Sequence, residues 1–322
     1  MKKILLLLLC TVFLFQCKDD DDDDDGNNNT STTIPYGKNR YTKEIDGVQR
    51  EFYVHIPQSY DSTVAVPVVF MLHGTSGDGE KFYNISGWKE VGETENIITV
   101  FPSSGSYCII EPDGQKTTTK WNTPPDAEWI FCPNETPLDD IKFLKEVVTF
   151  LPTKFNIDTR RIYLVGFSNG GQMAAKCAIE MSDIFAAIVE SAGSFYLDTT
   201  YTPQRKLPIT YQVGNDDWGP GNEGPDLPLS QFDSLLNSFE DFKYYRIKQR
   251  HINHFDLNPN YTITGDTASA VFAHFVSNNN EPNNLFQFVM VKGLKHAYPN
   301  GTNHPAKAAV QNWAWFKQFT LP

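Results

Sequence analysis

From residue 67 onward, short and continuously apolar runs alternate with helically spaced segments, and few folds tolerate that rhythm. Pro67–Leu72 and Ile97–Phe101 read as buried central strands, because a strand covered on both faces has no polar side to show. Asp139–Phe155 carries apolar side chains at Ile141, Leu144, Val147, Val148 and Leu151, which is helical spacing, with Asp139 or Asp140 to cap its start. Strands follow at Arg161–Val165, Phe185–Val189, Leu207–Val213 and Leu285–Val291, with helices at Gln172–Met181 and Ala306–Phe319. Such alternation predicts an α/β fold: a mostly parallel central sheet with helices on both faces. A hairpin over Tyr41–Ile56, turning at Asp46-Gly47, precedes it. The stretch 219–284 reads less regularly, with Pro/Gly-rich turns, a helix near 229–249 and one or two extra strands.

Three strand ends carry the chemistry. Gly166-Phe167-Ser168-Asn169-Gly170 has the G-x-S-x-G form and sits between a strand and an apolar helix. That context fits a nucleophile elbow, in which small residues allow a sharp turn and Oγ is pushed out above the sheet. The bland alternative is a tight turn without chemistry. His73-Gly74-Thr75 follows the Pro67–Leu72 strand; here the backbone N–H groups of Thr75 and Asn169 are the expected oxyanion donors, and His73 is structural. An acid and then a base should follow Ser168 in the chain. Leu207–Val213 runs into Gly214-Asn215-Asp216-Asp217, which offers either Asp. Leu285–Val291 runs into Lys292-Gly293-Leu294-Lys295-His296, which offers the base. Of the 7 His, His251 and His254 fall in an apparently irregular stretch, His304 lies just past the motif, and His55 and His274 read as strand residues.

Cys177 falls on a buried helix face and reads as an inert core thiol. Cys108 and Cys132 flank a polar insertion and are expected to form one disulfide, worth about 3 kcal/mol by loop closure; two unpaired thiols are the alternative. Their spacing lacks the second Cys or His pair of a zinc site, and no metal or cofactor is implied.

The formal net charge of -12 mixes two parts of the chain. Asp19–Asp25 is an unbroken acidic run; without it and Lys2, Lys3 and Lys18, 24 cationic side chains face 32 anionic ones. With no basic surplus, nucleic-acid binding is not expected, and strongly anionic polymers are disfavoured as substrates. Met1-Lys2-Lys3 followed by the apolar run Ile4–Phe15 reads as a signal peptide, too short to span a bilayer. Leu14-Phe15-Gln16-Cys17 resembles a relaxed bacterial lipobox, with Cys17 the lipidated residue; a plain cleaved signal is the alternative. The expected organisation is a signal peptide over 1–16, an acidic tether over 17–36 and one catalytic domain over 37–322. Cys17-Lys18-Asp19-Asp20 further resembles signals that place lipoproteins on the outer membrane, facing outward.

Taken together, Leu72-His73-Gly74, Asp139–Leu144, Ile157–Tyr163, Gly166–Gly171 and Gly293…His296-Ala297-Tyr298-Pro299 resemble the α/β-hydrolases, and within them the secreted esterases of the polyhydroxybutyrate depolymerase-like and feruloyl esterase-like group. The resemblance implies an acid three positions after a Gly, which selects Asp217 after Gly214, and a Ser168–His296–Asp217 triad performing two-step acyl transfer without cofactor. Tyr298 stands where the group often has Trp, and Val213 where it has His. The implied partners are a membrane, through the lipid anchor, and extracellular polysaccharide-linked or polyester substrates: feruloyl, acetyl or hydroxyalkanoate esters. Aromatics read as exterior (Tyr107, Trp121, Trp129, Trp218, Tyr298) are candidates to stack on a phenolic acyl group or a sugar. A glycan-binding lipoprotein with a retired hydrolase fold would lack a triad member, and a serine peptidase of this fold would need a propeller or cap domain.

Overall fold

The computed structural model describes residues 34–111, 114–123, 130–195, 202–237, 240 and 242–322. The chain divides into two units, Met1–Ile34 and Pro35–Pro322. The readings placed on the signal peptide, Cys17, the acidic run and Trp129 lie outside the described residues.

In chain order the elements are β1 (Gly37–Ile45), β2 (Val48–Ile56), β3 (Val66–Leu72), α1 (Gly79–Ile85), α2 (Trp88–Glu95), β4 (Ile98–Pro102), β5 (Ser106–Glu111), β6 (Gly114–Thr119), α3 (Asp140–Phe150), β7 (Ile157–Phe167), α4 (Asn169–Glu180), β8 (Ala187–Ser191), β9 (Ile209–Gly214), α5 (Phe232–Asn237), α6 (Lys243–Phe255), β10 (Thr262–Asp266), β11 (Ala270–Val276), β12 (Leu285–Val291) and α7 (Ala308–Phe316). Among the described residues one ten-stranded sheet runs β1-β2-β4-β3-β7-β8-β9-β12-β11-β10. Its centre, from β4 to β12, is parallel throughout, and antiparallel pairs extend both edges. After β3 the chain steps outward to β4, and then returns to β7 on the other side of β3. Loops leaving the carboxyl ends of neighbouring strands therefore diverge there and open a crevice.

The apolar runs became strands because both faces are covered. All seven residues of β3 are buried. Val69 and Met71 pack with Tyr163 and Val165 of β7 and with Phe82, Trp88, Trp313 and Phe316. The intervening Phe70 points the other way, onto Phe185, as the two-residue period of a strand requires. Tyr163 stacks on Phe316 with ring centroids 4.8 Å apart, fixing α7 to the sheet. Each such ring contributes roughly 2–3 kcal/mol of burial. In α3 the cap is Asp139, which accepts from the Lys142 amide at 2.9 Å; Asp140 has another task.

Several expectations need correcting. The single helix near 229–249 is two helices, α5 and α6, and α6 runs on to Phe255. His251 and His254 are therefore helical and buried, not irregular, because α6 turns them inward with Tyr244, Ile247 and Phe255. Tyr107, Trp121 and Tyr298 are core side chains, at most 4% exposed, and Trp218 alone of the four described aromatics lines the crevice. Each buried ring has a polar partner that lets it go inside: the Tyr107 hydroxyl accepts from the Leu138 amide, and the Tyr298 hydroxyl from the Trp88 indole. The sequence reading also missed α1, α2 and the β5–β6 hairpin. The two helices are short and contain Gly79 and Gly92, so their periodicity is weak.

Candidate active site

β7 delivers Phe167 to the carboxyl edge of the sheet, and α4 starts at Asn169. Between them Ser168 has φ 54 and ψ -119, a conformation that costs a non-glycine residue on the order of 1–3 kcal/mol. Its surroundings hold it there. The Ser168 amide donates to the Ser191 carbonyl at 2.7 Å, and its carbonyl accepts from the Gln172 amide at 3.0 Å. Glycines make the crossing possible: a Cβ on Gly166 would lie 1.9 Å from the Gly170 carbonyl oxygen, one on Gly170 2.4 Å from that of His73, and one on Gly193 1.9 Å from that of Ser168.

β9 and β12 lie side by side, so the loops that leave them meet. At Gly214 a Cβ would fall 1.7 Å from the Leu294 carbonyl oxygen, so only glycine lets the two loops close to this distance. His296 Nε2 lies 2.9 Å from Ser168 Oγ, and its Nδ1 lies 2.9 and 3.1 Å from the two carboxylate oxygens of Asp217. The carboxylate fixes the proton on Nδ1 and leaves the Nε2 lone pair facing the hydroxyl. Asp217 is itself held: Oδ1 accepts from the Gly219 amide at 2.9 Å, its amide donates to the Gly214 carbonyl, and Lys243 donates to its carbonyl. Asp216 instead lies 3.8 Å from Lys295. The Phe167 ring packs 5.1 Å from the imidazole. Three residues that are 128 and 79 positions apart in sequence thus form one hydrogen-bonded line, able to remove a proton from a hydroxyl and stabilise the imidazolium that forms.

Thr75 and Asn169, whose amides are the expected oxyanion donors, border the same cavity. Asn169 opens α4, so its N–H has no intrahelical acceptor and carries the positive end of the helix dipole. The Thr75 loop comes close because Gly74 lacks a Cβ, which would sit 3.1 Å from that of Ser168. His73 ties this loop down: Nδ1 donates to the Gly74 carbonyl at 2.7 Å, and Nε2 accepts from the Ser104 amide at 2.9 Å. Complete burial pushes its pKa down to about 4, so it stays neutral and structural.

What the sequence reading missed is the brace around these amides. Cys108 and Cys132 are bridged, with Cα atoms 5.4 Å apart, and the bridge ties the β5–β6 hairpin to the segment around Phe131. Beyond β6, Trp121 is fully buried: its indole donates to the His73 carbonyl at 2.8 Å, and its amide to Asn169 Oδ1 at 2.6 Å. The Ser76 amide donates to the Thr119 carbonyl at 3.0 Å. The Asn122 amide donates to Asp140, whose other oxygen pairs with Arg50 at 2.6 Å in a wholly buried ion pair. The insertion therefore grips both loops that present the amides. The cavity above Ser168 measures about 1170 Å³, with Trp218, Phe195 and Lys120 among its walls.

Comparison with known proteins bears on the family and the fold. The Esterase family model, described as "Putative esterase", matches residues 43–319. The bifunctional acetylxylan esterase/xylanase of Neocallimastix patriciarum is 24% identical over 204 residues, covering 63% of this chain and 25% of that protein. Feruloyl esterase B of Piromyces equi is 25% identical over 172 residues, covering 52% of this chain and 29% of its own length. The chain spans between a quarter and under half of the first curated relatives it matches. Among solved structures, the acetyl xylan esterase from Aspergillus awamori superposes with a TM-score of 0.58 at 15% identity, covering 87% of this chain and 99% of that one. The shared fold is that of the α/β-hydrolases.

Proposed function

The chain belongs to the esterase family, and from that premise we propose that it is a serine carboxylic-ester hydrolase acting through Ser168, His296 and Asp217. The observation that carries this reading is the unbroken line from Asp217 through His296 to Ser168 Oγ at the floor of an open cleft. Ser168 Oγ attacks the ester carbonyl while His296 takes its proton and hands it to the leaving alcohol. The acyl-enzyme is then released by water that His296 activates, returning the proton to Ser168. The Thr75 and Asn169 amides receive the negative charge on the carbonyl oxygen, and losing one such donor costs about 2.7–4 kcal/mol of barrier.

Relatives named for acetylxylan and feruloyl esters support an acyl group carried on polysaccharide as the substrate class. The basic start, apolar run and Cys17 support export and lipid anchoring at the outer membrane. The chain should hydrolyse p-nitrophenyl acetate and be labelled at Ser168 by a fluorophosphonate. Undiminished turnover in Ser168→Ala would end this reading. Palmitate incorporation that persists in Cys17→Ala would end the anchor reading.

A further inference from the structure

Around Ser168 the cleft gathers Lys116, Lys120, Lys243, Arg246 and Arg250 against Glu111 and Asp217, in a chain whose formal net charge is -12. Most of these cations are engaged. Lys116 pairs with Glu111 at 2.5 Å, Arg250 donates to the Phe195 carbonyl at 2.6 Å, and Arg246 has partners of its own. Lys243 donates to the Asp217 carbonyl and lies over the Tyr244 ring.

Lys120 differs. Among the described residues its ammonium has one hydrogen-bond contact, Thr75 Oγ1 at 3.5 Å, and no carboxylate in ion-pair reach. Its backbone is fixed, because its own amide donates to the Gly105 carbonyl at 3.0 Å and both neighbours, Thr119 and Trp121, are tied to the Thr75 and Asn169 loops. The side chain is half-buried, and burial lowers its pKa, because the lost hydration outweighs the more distant pull of Glu111, which Lys116 already pairs. A cation so placed gains most from an anion that enters with the ligand, and a cleft with more cations than anions on its walls favours that attraction whatever the net charge of the whole chain.

We infer that the cleft takes esters that bear a free carboxylate, held by Lys120, in preference to neutral esters. This rests on Ser168 being the nucleophile, and it narrows the expectation, drawn from net charge alone, that strongly anionic polymers are disfavoured: a single carboxylate on the ester is accepted. The carboxylate sits either on the alcohol half, as in an acylated acidic sugar, or on the acyl half, as in a dicarboxylic half-ester.

Two matched pairs separate these sources. For the alcohol half the pair is 4-acetoxybenzoate and 4-acetoxybenzamide; for the acyl half it is mono-(4-nitrophenyl) succinate and 4-nitrophenyl butyrate. Each kcat/KM is divided by the hydroxide-catalysed rate of the same ester. At low ionic strength the carboxylate member of at least one pair should be favoured about tenfold or more. That ratio should shrink in 0.5 M NaCl, approach unity in Lys120→Met and invert in Lys120→Glu. Equal rates within both pairs, or a preference that survives unchanged in Lys120→Met, would overturn the inference. If the variants fail to fold, a salt-insensitive ratio in the unaltered chain overturns it. Absence of turnover for all four esters would instead remove the hydrolase reading itself, which the fluorophosphonate label tests separately.

Discussion

Replacing Trp121 by Phe should damage turnover well beyond its effect on stability, and the structure gives the size of both. Phenylalanine preserves an aromatic ring against His73, now at 5.0 Å between centroids, and it preserves the backbone amide that donates to Asn169. It deletes the indole N–H that satisfies the His73 carbonyl at 2.8 Å, in a site with no exposure. Leaving a buried carbonyl unpaired costs about 1–3 kcal/mol, and the smaller ring adds roughly 1 kcal/mol of lost packing. The expected loss is therefore roughly 2–4 kcal/mol, read as a lower urea midpoint at unchanged slope. The His73 carbonyl begins the loop that carries the Thr75 amide, and a misplacement of about 1 Å near reacting atoms costs on the order of 100-fold. We expect kcat on p-nitrophenyl acetate to fall about 10- to 100-fold under conditions where the variant is fully folded. Trp313→Phe is the reference, since its indole also donates once, to Glu95 at 2.7 Å, but in α7. It should lose stability and keep its rate. If Trp121→Phe keeps kcat within twofold of the unaltered chain, the bracing argument is refuted and Trp121 is only a core residue.

Asp217→Asn should reduce kcat by about 10⁴-fold. The amide oxygen is claimed by the Gly219 N–H, so the NH₂ faces His296 Nδ1 and drives the proton onto Nε2; a loss under tenfold in a folded variant would contradict this. Removing the disulfide by Cys108→Ala with Cys132→Ala should lower unfolding free energy by about 3 kcal/mol for a separation of 24 residues, and should lower turnover with it; calorimetry and the ester assay check both. Acid should destabilise the fold through buried histidines. His73, depressed to about 4, is neutral in the folded chain but protonates in the unfolded one below the ordinary histidine value of 6.5. Stability is then lost as pH falls from 6.5 towards 4, by roughly 2 kcal/mol at pH 5 from this residue alone, and His254 acts in the same direction. Equal urea midpoints at pH 7 and pH 5 would contradict it. Gly193→Ala should abolish labelling of Ser168 by fluorophosphonate, because the added Cβ meets the Ser168 carbonyl; normal labelling would show that the elbow can shift.

How much of this was legible in the residues follows from the range of each interaction. The buried strands were readable because a strand covered on both faces must be apolar along its length, as all seven residues of β3 are. The Ser168 turn was readable because its sterics are local: glycines at 166 and 170 are demanded by atoms a few residues away or in the adjacent strand loop. Where periodicity was short or mixed, as in α1, α2 and the 219–284 stretch, element boundaries went astray. His251 was placed in a loop because its helix is amphipathic only with respect to a sheet that sequence does not display.

Exposure misled for the same reason, since it depends on a surface whose shape the chain order does not contain. That Trp121 is buried, that Asp140 pins the insertion rather than capping α3, and that Lys120 lines the same cleft as Ser168 depend on parts of the chain 18 to 48 residues apart. The sequence alone determined the parallel α/β scaffold, the elbow and the strand ends from which an acid and a base would emerge, because these rest on local backbone sterics and on burial periodicity. Only the tertiary structure decided which Asp meets His296, what braces the two amides and which charge lines the cleft. Those are distances between loops that share nothing but the edge of one sheet.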